Sequence, residues 1–341
     1  MKLAPQSPRE WLLAPVRILA SLVAFALAVV GLAYMSTVMP GHSHSGPLPA
    51  LDAPSLQRQE RVRRDVTALA DTIQDRSLRL PEHLEQAAQY VEREFRAAGY
   101  DVTYIPYTVR GVQVRNLVAE KRGTTRADEI VMVGAHYDSV ERSLGADDNA
   151  SGVAAMVEIA REIAKQPTAR TVRFVAFVNE EPPWFRTDKM GSRVVAKAFR
   201  ARGDNIVEAI VFDAIGYYCT GDCQRYPPLL DNFFPESGDF IAFVGRAQDW
   251  FRVRHAVGLF REAVAMPSEG LAAPRFVPGI DYSDHAEFWN VGYPGILVSD
   301  APTYRNPNYH LSLDTVDTLD FDRLTRVTNG MVAVVRALAA E

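Results

Sequence analysis

The chain has 341 residues, of which 48% are hydrophobic, and a formal net charge of −5. This length accommodates one large domain or two modest ones, and the acidic balance without a basic stripe argues against nucleic acid as a partner. The two cysteines, Cys219 and Cys223, are too few for a disulfide framework.

An apolar run without charged residues covers residues 18–39. At ~1.5 Å per helical residue it crosses a ~30 Å hydrocarbon layer, and it therefore predicts a transmembrane anchor. Three basic residues precede the run, and no Lys or Arg follows before residue 58. This distribution predicts a short cytoplasmic segment over 1–17, with the rest of the chain on the periplasmic or extracellular side. A cleaved signal peptide is the alternative, although its apolar region is usually shorter, ~7–15 residues.

The segment 40–54 is rich in Pro, Gly and Ser and predicts a flexible spacer. The remainder, 55–341, predicts one folded domain in which helical and strand patterns alternate. Helical spacing in "LQRQERVRRDVTALADTI" and "PEHLEQAAQYVEREFRAAGY" precedes the strand patterns "DVTYIPYTV" and "RNLVAEK". The later strand patterns are "EIVMVGAH", "TVRFVAFV", "NIVEAIVFDAIG", "DFIAFVG" and "YPGILVSD", and the later helical patterns are "ASGVAAMVEIAREIAKQ", "GSRVVAKAFRARG", "AQDWFRVRHAVGLFREAV" and "FDRLTRVTNGMVAVVRALAA".

This alternation predicts an α/β fold with a mostly parallel central sheet that helices cover on both faces. Ligands of such folds bind at the carboxyl ends of the strands. Polar side chains are concentrated at those ends. They are His136, Asp138, Asp147, Asp148, Asn149, Glu180, Glu181 and Asp213, with His310 in a loop after the last strand.

So many acidic side chains at one edge would repel each other unless a cation lies among them. Two histidines and several carboxylates form a ligand set for a borderline divalent metal, with zinc the first expectation. The set is large enough for two ions, which a carboxylate can bridge at ~3.5–4 Å separation. Glu180 and Glu181 point in different directions at a strand end, so one can bind metal while the other serves as a general base.

Six motifs carry a resemblance to a known family: "GAHYDS", "GADDNASG", "NEE", "FDAIG", "SDHAEFW" and "YHLSLDT". Their order and spacing between about Val114 and Asp317 resemble the di-zinc aminopeptidases of metallopeptidase family 28, which includes aminopeptidase Y and bacterial secreted aminopeptidases. The resemblance implies the fold of zinc-dependent exopeptidases, which is similar to that of phosphorylases and hydrolases. It also implies two zinc ions per chain and a peptide substrate.

The resemblance implies a role for each ligand. His136 and Asp213 would bind one zinc ion, while Glu181 and His310 would bind the other. Asp148 would bridge the two ions, and the peptide bond that follows it would be cis.

Further roles follow from the same resemblance. Glu180 would be the general base, and Tyr309 would stabilise the oxyanion of the tetrahedral intermediate. Asp138 would orient His136 as its hydrogen-bond partner. Asp284 would lie near the pocket without an assigned role.

One loop departs from the family pattern. After "NEE" the chain continues with the longer "PPWFRTDKMGS", which carries Trp184 and Phe185. Together with Tyr217 and Tyr218 they are candidates for an apolar substrate pocket, the alternative being ordinary packing or a lid. Outside the cytoplasm, the two cysteines around "TGD" are expected to form a small disulfide loop.

The sequence therefore predicts a membrane-anchored zinc aminopeptidase that removes N-terminal residues, using a water between two zinc ions and Glu180. The alternatives are a glutaminyl cyclase-like acyltransferase with one zinc, a carboxypeptidase or dipeptidase on the same metal centre, and an inactive ectodomain that binds partners. The preferred N-terminal residue and the oligomeric state stay open at this stage.

Overall fold

The computed structural model describes residues 8–228 and 230–341. These residues contain an eight-stranded sheet in the order β1-β2-β4-β3-β5-β8-β6-β7. The strands are β1 (Val102–Val109), β2 (Val112–Lys121), β3 (Arg126–His136), β4 (Arg170–Phe177), β5 (Asn205–Phe212), β6 (Ile241–Arg246), β7 (Ser268–Ala273) and β8 (Ile296–Ser299).

The centre of the sheet is parallel, as the alternating pattern predicts. Strands β4, β3, β5 and β8 are parallel neighbours, whereas β1, β2 and β6 join by antiparallel pairing. The sheet is therefore mixed, and the predicted α/β class is confirmed. The edge strand β7, which pairs with β6, is absent from the sequence prediction because its segment "SEGLAA" has no β-branched or aromatic residue.

Helices of the domain cover both faces of the sheet, and an exposed N-terminal helix precedes them. In chain order the helices are α1 (Pro8–Thr37), α2 (Ala53–Thr67), α3 (Pro81–Ala97), α4 (Gly152–Ala164), α5 (Gly191–Arg202), α6 (Trp250–Ala263), α7 (His285–Asn290), α8 (Pro302–Arg305) and α9 (Phe321–Ala340). A wider π-helical turn extends α2 over Ala68–Ile73. A kinked turn over Ala146–Ser151 precedes α4, and Asp148 and Asn149 within it have non-helical backbone angles. The sequence prediction lacks α7 and α8, whose six and four residues are too few to show a helical period.

Strand β3 shows why its sequence is apolar without interruption. Val131 and Val133 point into the core shared with α4 and α9, whereas Ile130 and Met132 point into the core formed with α5 and α7. Because successive side chains of a strand point to opposite faces, a strand buried on both sides has no polar positions. This arrangement leaves the ends of the central strands as the place where polar side chains can gather.

The N-terminal helix α1 is continuous from Pro8 to Thr37, so residues 8–17 of the predicted cytoplasmic segment belong to the same helix as the predicted anchor. Residues 1–7 of that segment lie outside the described residues. Within the described part of the chain, Leu13–Thr37 is the one stretch long and apolar enough to cross a membrane, and none of it is buried. Both a membrane anchor and a signal sequence fit this helix, and the domain boundaries stay a prediction.

The predicted flexible spacer, 40–54, lies along the domain instead of extending freely from it. Met39 is buried against Gly270 of β7, and Arg261 of α6 donates to the carbonyl of Pro40 at 3.1 Å. The Ser268 N–H of the edge strand donates to Ser43 Oγ at 2.9 Å. The edge of strand β7 and a buried guanidinium thus supply partners for polar groups of the segment, and its flexibility stays a prediction.

Candidate metal centre

Five side chains from distant parts of the sequence form two groups of three, in which the candidate ligand atoms lie within 4.8 Å of one another. His136 Nε2 lies 3.2 Å from Asp148 Oδ1 and 3.4 Å from Asp213 Oδ1. His310 Nε2 lies 3.2 Å from Asp148 Oδ2 and 3.1 Å from Glu181 Oε2. Asp148 thus belongs to both groups and faces each histidine with a different carboxylate oxygen.

The parallel strands explain how two of these residues meet. His136 is the last residue of β3, and Asp213 directly follows β5. Gly134 pairs with Val211 in the β3–β5 ladder, which places His136 and Asp213 level with each other two residues further on. Both side chains therefore emerge together at the carboxyl end of the sheet.

Asp148 is held in place by its neighbours in the turn before α4. The carboxylate of Asp314 accepts the N–H groups of Asp147 and Asp148 at 2.8 and 3.1 Å. Asn149 Oδ1 accepts the Gly152 N–H at 3.1 Å, and Asn149 Nδ2 donates to the Phe212 carbonyl. The Asp148–Asn149 peptide bond is cis, as the resemblance implies. These contacts tie the turn to β5 and to the loop that carries His310.

Asp138 contacts both sides of the centre. Its two carboxylate oxygens each accept one N–H at 3.2 Å, from Glu180 and Glu181. His136 Nδ1 lies 3.2 Å from the Asp138 carbonyl and 3.6 Å from its carboxylate. Asp138 therefore fixes the glutamate pair through its side chain, and its backbone carbonyl is the nearer partner of the His136 ring.

Arg76 lies beneath the centre and is fully buried. Its guanidinium donates to five backbone carbonyls, those of Leu69, Gln74, Tyr137, Leu144 and Gly145. Three of these carbonyls belong to the loop that joins His136 to Asp148. Gly145 has a positive φ of 58°, and a Cβ there would lie 2.6 Å from Arg76 Nη2, so side chain and loop are fitted to each other.

Most acidic groups of the centre are poorly stabilised as anions by the protein alone, whereas burial of Asp148 is outweighed by His136 and His310, which lower the pKa of its carboxyl. Burial raises the pKa of Glu181 to about 8 and that of Asp284 to about 8. Burial also raises the pKa of Glu180 well above its ordinary value. Burial alone would lower the pKa of His310, but Asp148 and Glu181 raise it to about 10. Raised pKa values of buried carboxyl groups, together with a raised pKa of an imidazole, indicate an excess of negative charge at the site.

The donor set fits a divalent metal. Glu181 Oε2 and His310 Nε2 are both buried and 3.1 Å apart, yet neither makes a hydrogen bond. Atoms that converge in this way without bonding to each other are oriented toward a common cation. Imidazole nitrogen and carboxylate oxygen are ligands of zinc, which takes four ligands in tetrahedral sites, one more than each group of three provides.

An apolar cleft of about 880 Å³, including its open mouth, lies beside the centre. Asp213 and Tyr309 form its inner end, and the Tyr309 ring stacks on His310 with centroids 3.8 Å apart. Its other walls come from residues between 224 and 240, from β6, β7 and β8, from the segment 278–282, and from the region of α8. The aromatic residues of these walls are Tyr226, Phe234, Phe240, Tyr282 and Tyr304.

The four aromatic residues predicted as pocket walls do not line this cleft. Trp184 lies under the guanidinium of Arg110, and the Tyr218 hydroxyl donates to the Ile215 carbonyl at 3.0 Å. The walls of this cleft come instead from elements that the sequence did not reveal, chiefly β7 and the segment after the cysteines, and the role of the four predicted aromatic residues in substrate binding stays a prediction. Those two cysteines, Cys219 and Cys223, form the predicted disulfide at the start of that segment.

Two supporting residues are missing from the sequence prediction. Asp314 lies within the quoted motif "YHLSLDT", and its position four residues after His310 was the available signal. Arg76 lies in "QDRSLRL", between two helices and outside every quoted motif, and nothing in its neighbourhood distinguishes it from a surface arginine. Asp284, predicted to lie near the pocket, is buried directly before α7, and both of its carboxylate oxygens lack hydrogen-bond partners. Its role stays a prediction.

Fold and site together define the class of the protein, an α/β enzyme with a metal centre at the carboxyl ends of a central parallel sheet. The family model of Peptidase family M28 matches residues 116–335. The chain belongs to peptidase family M28, and it is a metallo-exopeptidase, a hydrolase of peptide bonds.

The relatives agree with this assignment. A protein of Escherichia coli strain K12, Uncharacterized protein YfbL, is 35% identical over 286 residues, covering 81% of this chain and 87% of its own length. Leucine aminopeptidase 1 of Arthroderma otae is 25% identical over 302 residues, covering 82% of this chain and 74% of its own.

Two solved structures show the same fold. BSAP, a zinc aminopeptidase from Bacillus subtilis, has a TM-score of 0.64 at 14% identity and covers 83% of this chain and 95% of its own. A glutaminyl cyclase from Fimbriiglobus ruber has a TM-score of 0.58 at 19% identity, with coverages of 86% and 97%. The fold is therefore shared by a peptidase and a cyclase, and the site has to separate the two activities.

Proposed function

We propose that this protein is a zinc-dependent aminopeptidase that hydrolyses the N-terminal residue of peptides with two zinc ions per chain. The observation that carries the proposal is the position of Asp148, whose two carboxylate oxygens face His136 and His310 in two separate ligand groups. A bridging carboxylate between two complete groups fits a two-metal site better than a single-metal site.

His136, Asp148 and Asp213 would hold one ion, and Asp148, Glu181 and His310 would hold the other. When bound there, zinc supplies a Lewis acid that polarises the peptide carbonyl and favours deprotonation of water. The raised pKa values of the metal-free ligands agree with this assignment, because a dication would replace the protons that these groups otherwise retain.

Glu180 would act as the general base. Its backbone N–H is fixed by Asp138, and burial raises the pKa of its carboxyl well above the ordinary value. A buried carboxylate of high basicity accepts a proton from the attacking water and returns it to the departing amine. Tyr309 lies at the inner end of the cleft, where its hydroxyl can donate to the carbonyl oxygen as negative charge develops.

A glutaminyl cyclase activity is the second candidate, because the fold is shared with such an enzyme. The two ligand groups and the sequence relation to a leucine aminopeptidase favour hydrolysis. A carboxypeptidase or dipeptidase would use the same centre but would have to recognise a free carboxyl group. The aromatic and aliphatic walls of the cleft suit a side chain instead.

The proposal also places the enzyme on a membrane. Helix α1 would serve as an uncleaved anchor, with the catalytic domain on the periplasmic or extracellular side, and the disulfide between Cys219 and Cys223 fits an oxidising compartment. The contacts of Met39, Pro40 and Ser43 with α6 and β7 would keep the domain close to the end of that anchor.

One experiment tests the enzymatic part. The full chain is purified in detergent, its zinc content is measured, and it is given peptides with free and with acetylated N-termini, with and without a chelator. We expect two zinc ions per chain, cleavage of free N-termini only, and loss of activity on chelation. One zinc ion together with cyclisation of N-terminal glutamine would establish the cyclase instead, and cleavage of acetylated peptides alone would exclude an aminopeptidase.

A further inference from the structure

The cleft beside the metal centre contains a carboxylate that the proposed chemistry does not use. Glu269 is near the start of β7, lines the cleft, and has a side chain that is 20% exposed. Most of the other walls are aromatic or aliphatic, among them Tyr226, Phe234 and Phe240. A partly buried carboxylate in such surroundings is costly unless a cation or a hydrogen-bond donor reaches it.

The register of the sheet places Glu269 in one row with the metal ligand Asp213. Glu269 pairs with Ala242 on β6, and Ala242 pairs with Ser299 on β8. Asp213 lies one residue beyond the last β5–β8 pair and is level with Ser299. Residues opposite each other in neighbouring strands point to the same face, and all four line the cleft. At ~4.7–4.9 Å per strand, the row spans about 14 Å from β5 to β7.

Glu269 is weakly paired within the protein. Its nearest cation is Arg261, whose Nη2 lies 3.8 Å away, but that guanidinium donates to Ser268 and to carbonyls of the segment that begins at Met39. Burial raises the pKa of Glu269, while Arg261 and Ser43 oppose this shift. A second cation that entered the cleft would therefore meet a carboxylate that is still available to it.

We propose that Glu269 makes the cleft select peptides whose N-terminal side chain is long and cationic, that is, lysine or arginine. This inference rests on the proposed aminopeptidase function and names its substrate class. With its scissile carbonyl at the metal centre, a lysine or arginine side chain of single bonds ~1.5 Å long extends roughly 6 Å toward β7. The Asp213 side chain extends from one end of the row and the Glu269 side chain from the other, and together they span the remaining distance.

The walls between the two ends suit the stem of such a side chain. Lysine and arginine bury their methylene stems against apolar surface while the charged group stays polar. Tyr226 and Phe234 stack with centroids 5.8 Å apart, and aromatic faces of this kind also attract cations. A leucine side chain would fill only the inner part of the cleft and would leave Glu269 without a partner.

The test uses the full chain loaded with zinc and four aminoacyl p-nitroanilides, those of lysine, arginine, norleucine and leucine. Norleucine matches the lysine stem without its charge. We expect the wild type to favour lysine and arginine over norleucine in kcat/KM at least tenfold. Glu269→Gln should remove this preference by lowering kcat/KM for lysine and arginine to that for norleucine in the same variant. Glu262→Gln is the matched control, because Glu262 is an exposed carboxylate on the neighbouring α6 and does not line the cleft.

Binding is measured separately on the zinc-loaded full chain carrying Glu180→Gln, which is expected not to turn the ligands over, by calorimetry with L-lysinamide and L-norleucinamide. We expect Glu269→Gln to weaken lysinamide binding at least tenfold and to weaken norleucinamide binding far less. Equal effects on both ligands, or no preference for lysine in the wild type, would overturn the assignment of Glu269. If the wild type cleaves no N-terminal substrate, the aminopeptidase proposal fails, and the binding experiment still decides the role of Glu269.

Discussion

Two clusters of buried charged residues in this chain compensate the negative charge of their carboxylates in different ways. Between α2, α3 and α4, the fully buried Glu158 is bonded by Arg58, Arg61 and Arg161. Arg161 also pairs with Asp65 at 2.7 Å. Burial alone would raise the pKa of Glu158, but the arginines hold it below its ordinary value.

At the carboxyl ends of the central strands, the candidate metal ligands lack such arginine partners among the described residues. Among the described residues, the ion pairs that reach Asp148, Glu181 and Asp213 come from histidines alone. Arg76, a buried arginine nearby, directs its donors to carbonyl groups. The pKa of Glu181 accordingly rises to about 8 with burial, in contrast to that of Glu158.

The contrast separates structural from functional acids. Where the protein supplies its own cations, buried carboxylates are part of the fold. Where it supplies only imidazoles, the carboxylates remain an incomplete set that a metal ion completes. Variants in the two clusters should therefore affect different properties, and the following predictions use this difference.

The largest expected effect is on turnover, from Glu180→Gln. The amide keeps the shape of the side chain but cannot accept a proton, so kcat should fall by about 10²–10⁴, the usual contribution of a general base. Zinc content, measured by atomic emission, should stay near that of the wild type because Glu180 is outside both ligand groups. Asp148→Asn is the matched comparison, and it should lose zinc as well as activity. A Glu180→Gln enzyme with nearly normal kcat would contradict the assignment.

The second prediction concerns the arginine cluster. Glu158→Gln leaves three guanidinium groups around a neutral amide, and removal of one partner from a buried ion pair costs about 3–5 kcal/mol. The free energy of unfolding, measured by urea denaturation, should fall by this amount, whereas kcat of the folded fraction should not change. Glu120→Gln, in an ion pair with Arg173 whose glutamate is 39% exposed, is the control and should cost less than about 1 kcal/mol. A loss of kcat without a loss of stability would contradict the assignment of Glu158 to the fold alone.

The sequence predicted the candidate metal ligands better than the parts of the fold that surround them. His136, Asp148, Glu181, Asp213 and His310 could be found because metal ligands must be particular residue types, and their motifs lie at strand ends. The cleft could not be found, because its walls come from β7 and from the segment after the disulfide. Neither has a periodic pattern, and their position beside Asp213 depends on the antiparallel pairing of β6 with β8. The docked spacer was missed for the same reason, since its partners are distant in sequence.

Glu208 tests a case between the two clusters. It lies at the far end of the sheet, where Arg252 donates to one oxygen at 2.8 Å and the other has no hydrogen-bond partner. Burial raises its pKa from 4.5 to about 7. The folded state therefore binds the proton more tightly than the unfolded state. The stability that this group contributes is complete below pH 4.5 and is lost as the pH rises through about 7.

Comparison of the wild type with Glu208→Gln isolates this contribution. The difference in unfolding free energy between the two proteins should change by up to about 3 kcal/mol between pH 4.5 and pH 8, in the sense that the wild type loses stability. Urea denaturation in the presence of a chelator measures it without metal binding. Parallel pH profiles of the two proteins would show that Arg252 keeps Glu208 ionised throughout.

The smallest expected effect comes from Arg76, and it distinguishes geometry from charge at the candidate metal centre. Arg76→Lys keeps the positive charge but cannot reach five carbonyls, so the loop between His136 and Asp148 should loosen and zinc affinity should fall about 10–100-fold. Arg76→Gln removes the charge as well, which by itself would strengthen the attraction for a dication. Competition with a zinc chelator measures both affinities, and Arg79→Lys, on a half-exposed neighbour paired with Asp75, serves as the control.

If positioning dominates, both Arg76 variants bind zinc more weakly than the control. If charge dominates, Arg76→Gln binds it more tightly than the wild type. In that case the Arg76 guanidinium partly compensates the negative charge of the candidate metal ligands. The metal centre and the arginine cluster around Glu158 would then differ only in how much of the carboxylate charge the protein compensates. Weaker zinc binding by both variants would instead indicate that no protein cation compensates the candidate metal ligands. Arg76 would then support these ligands only through its hydrogen bonds to the backbone.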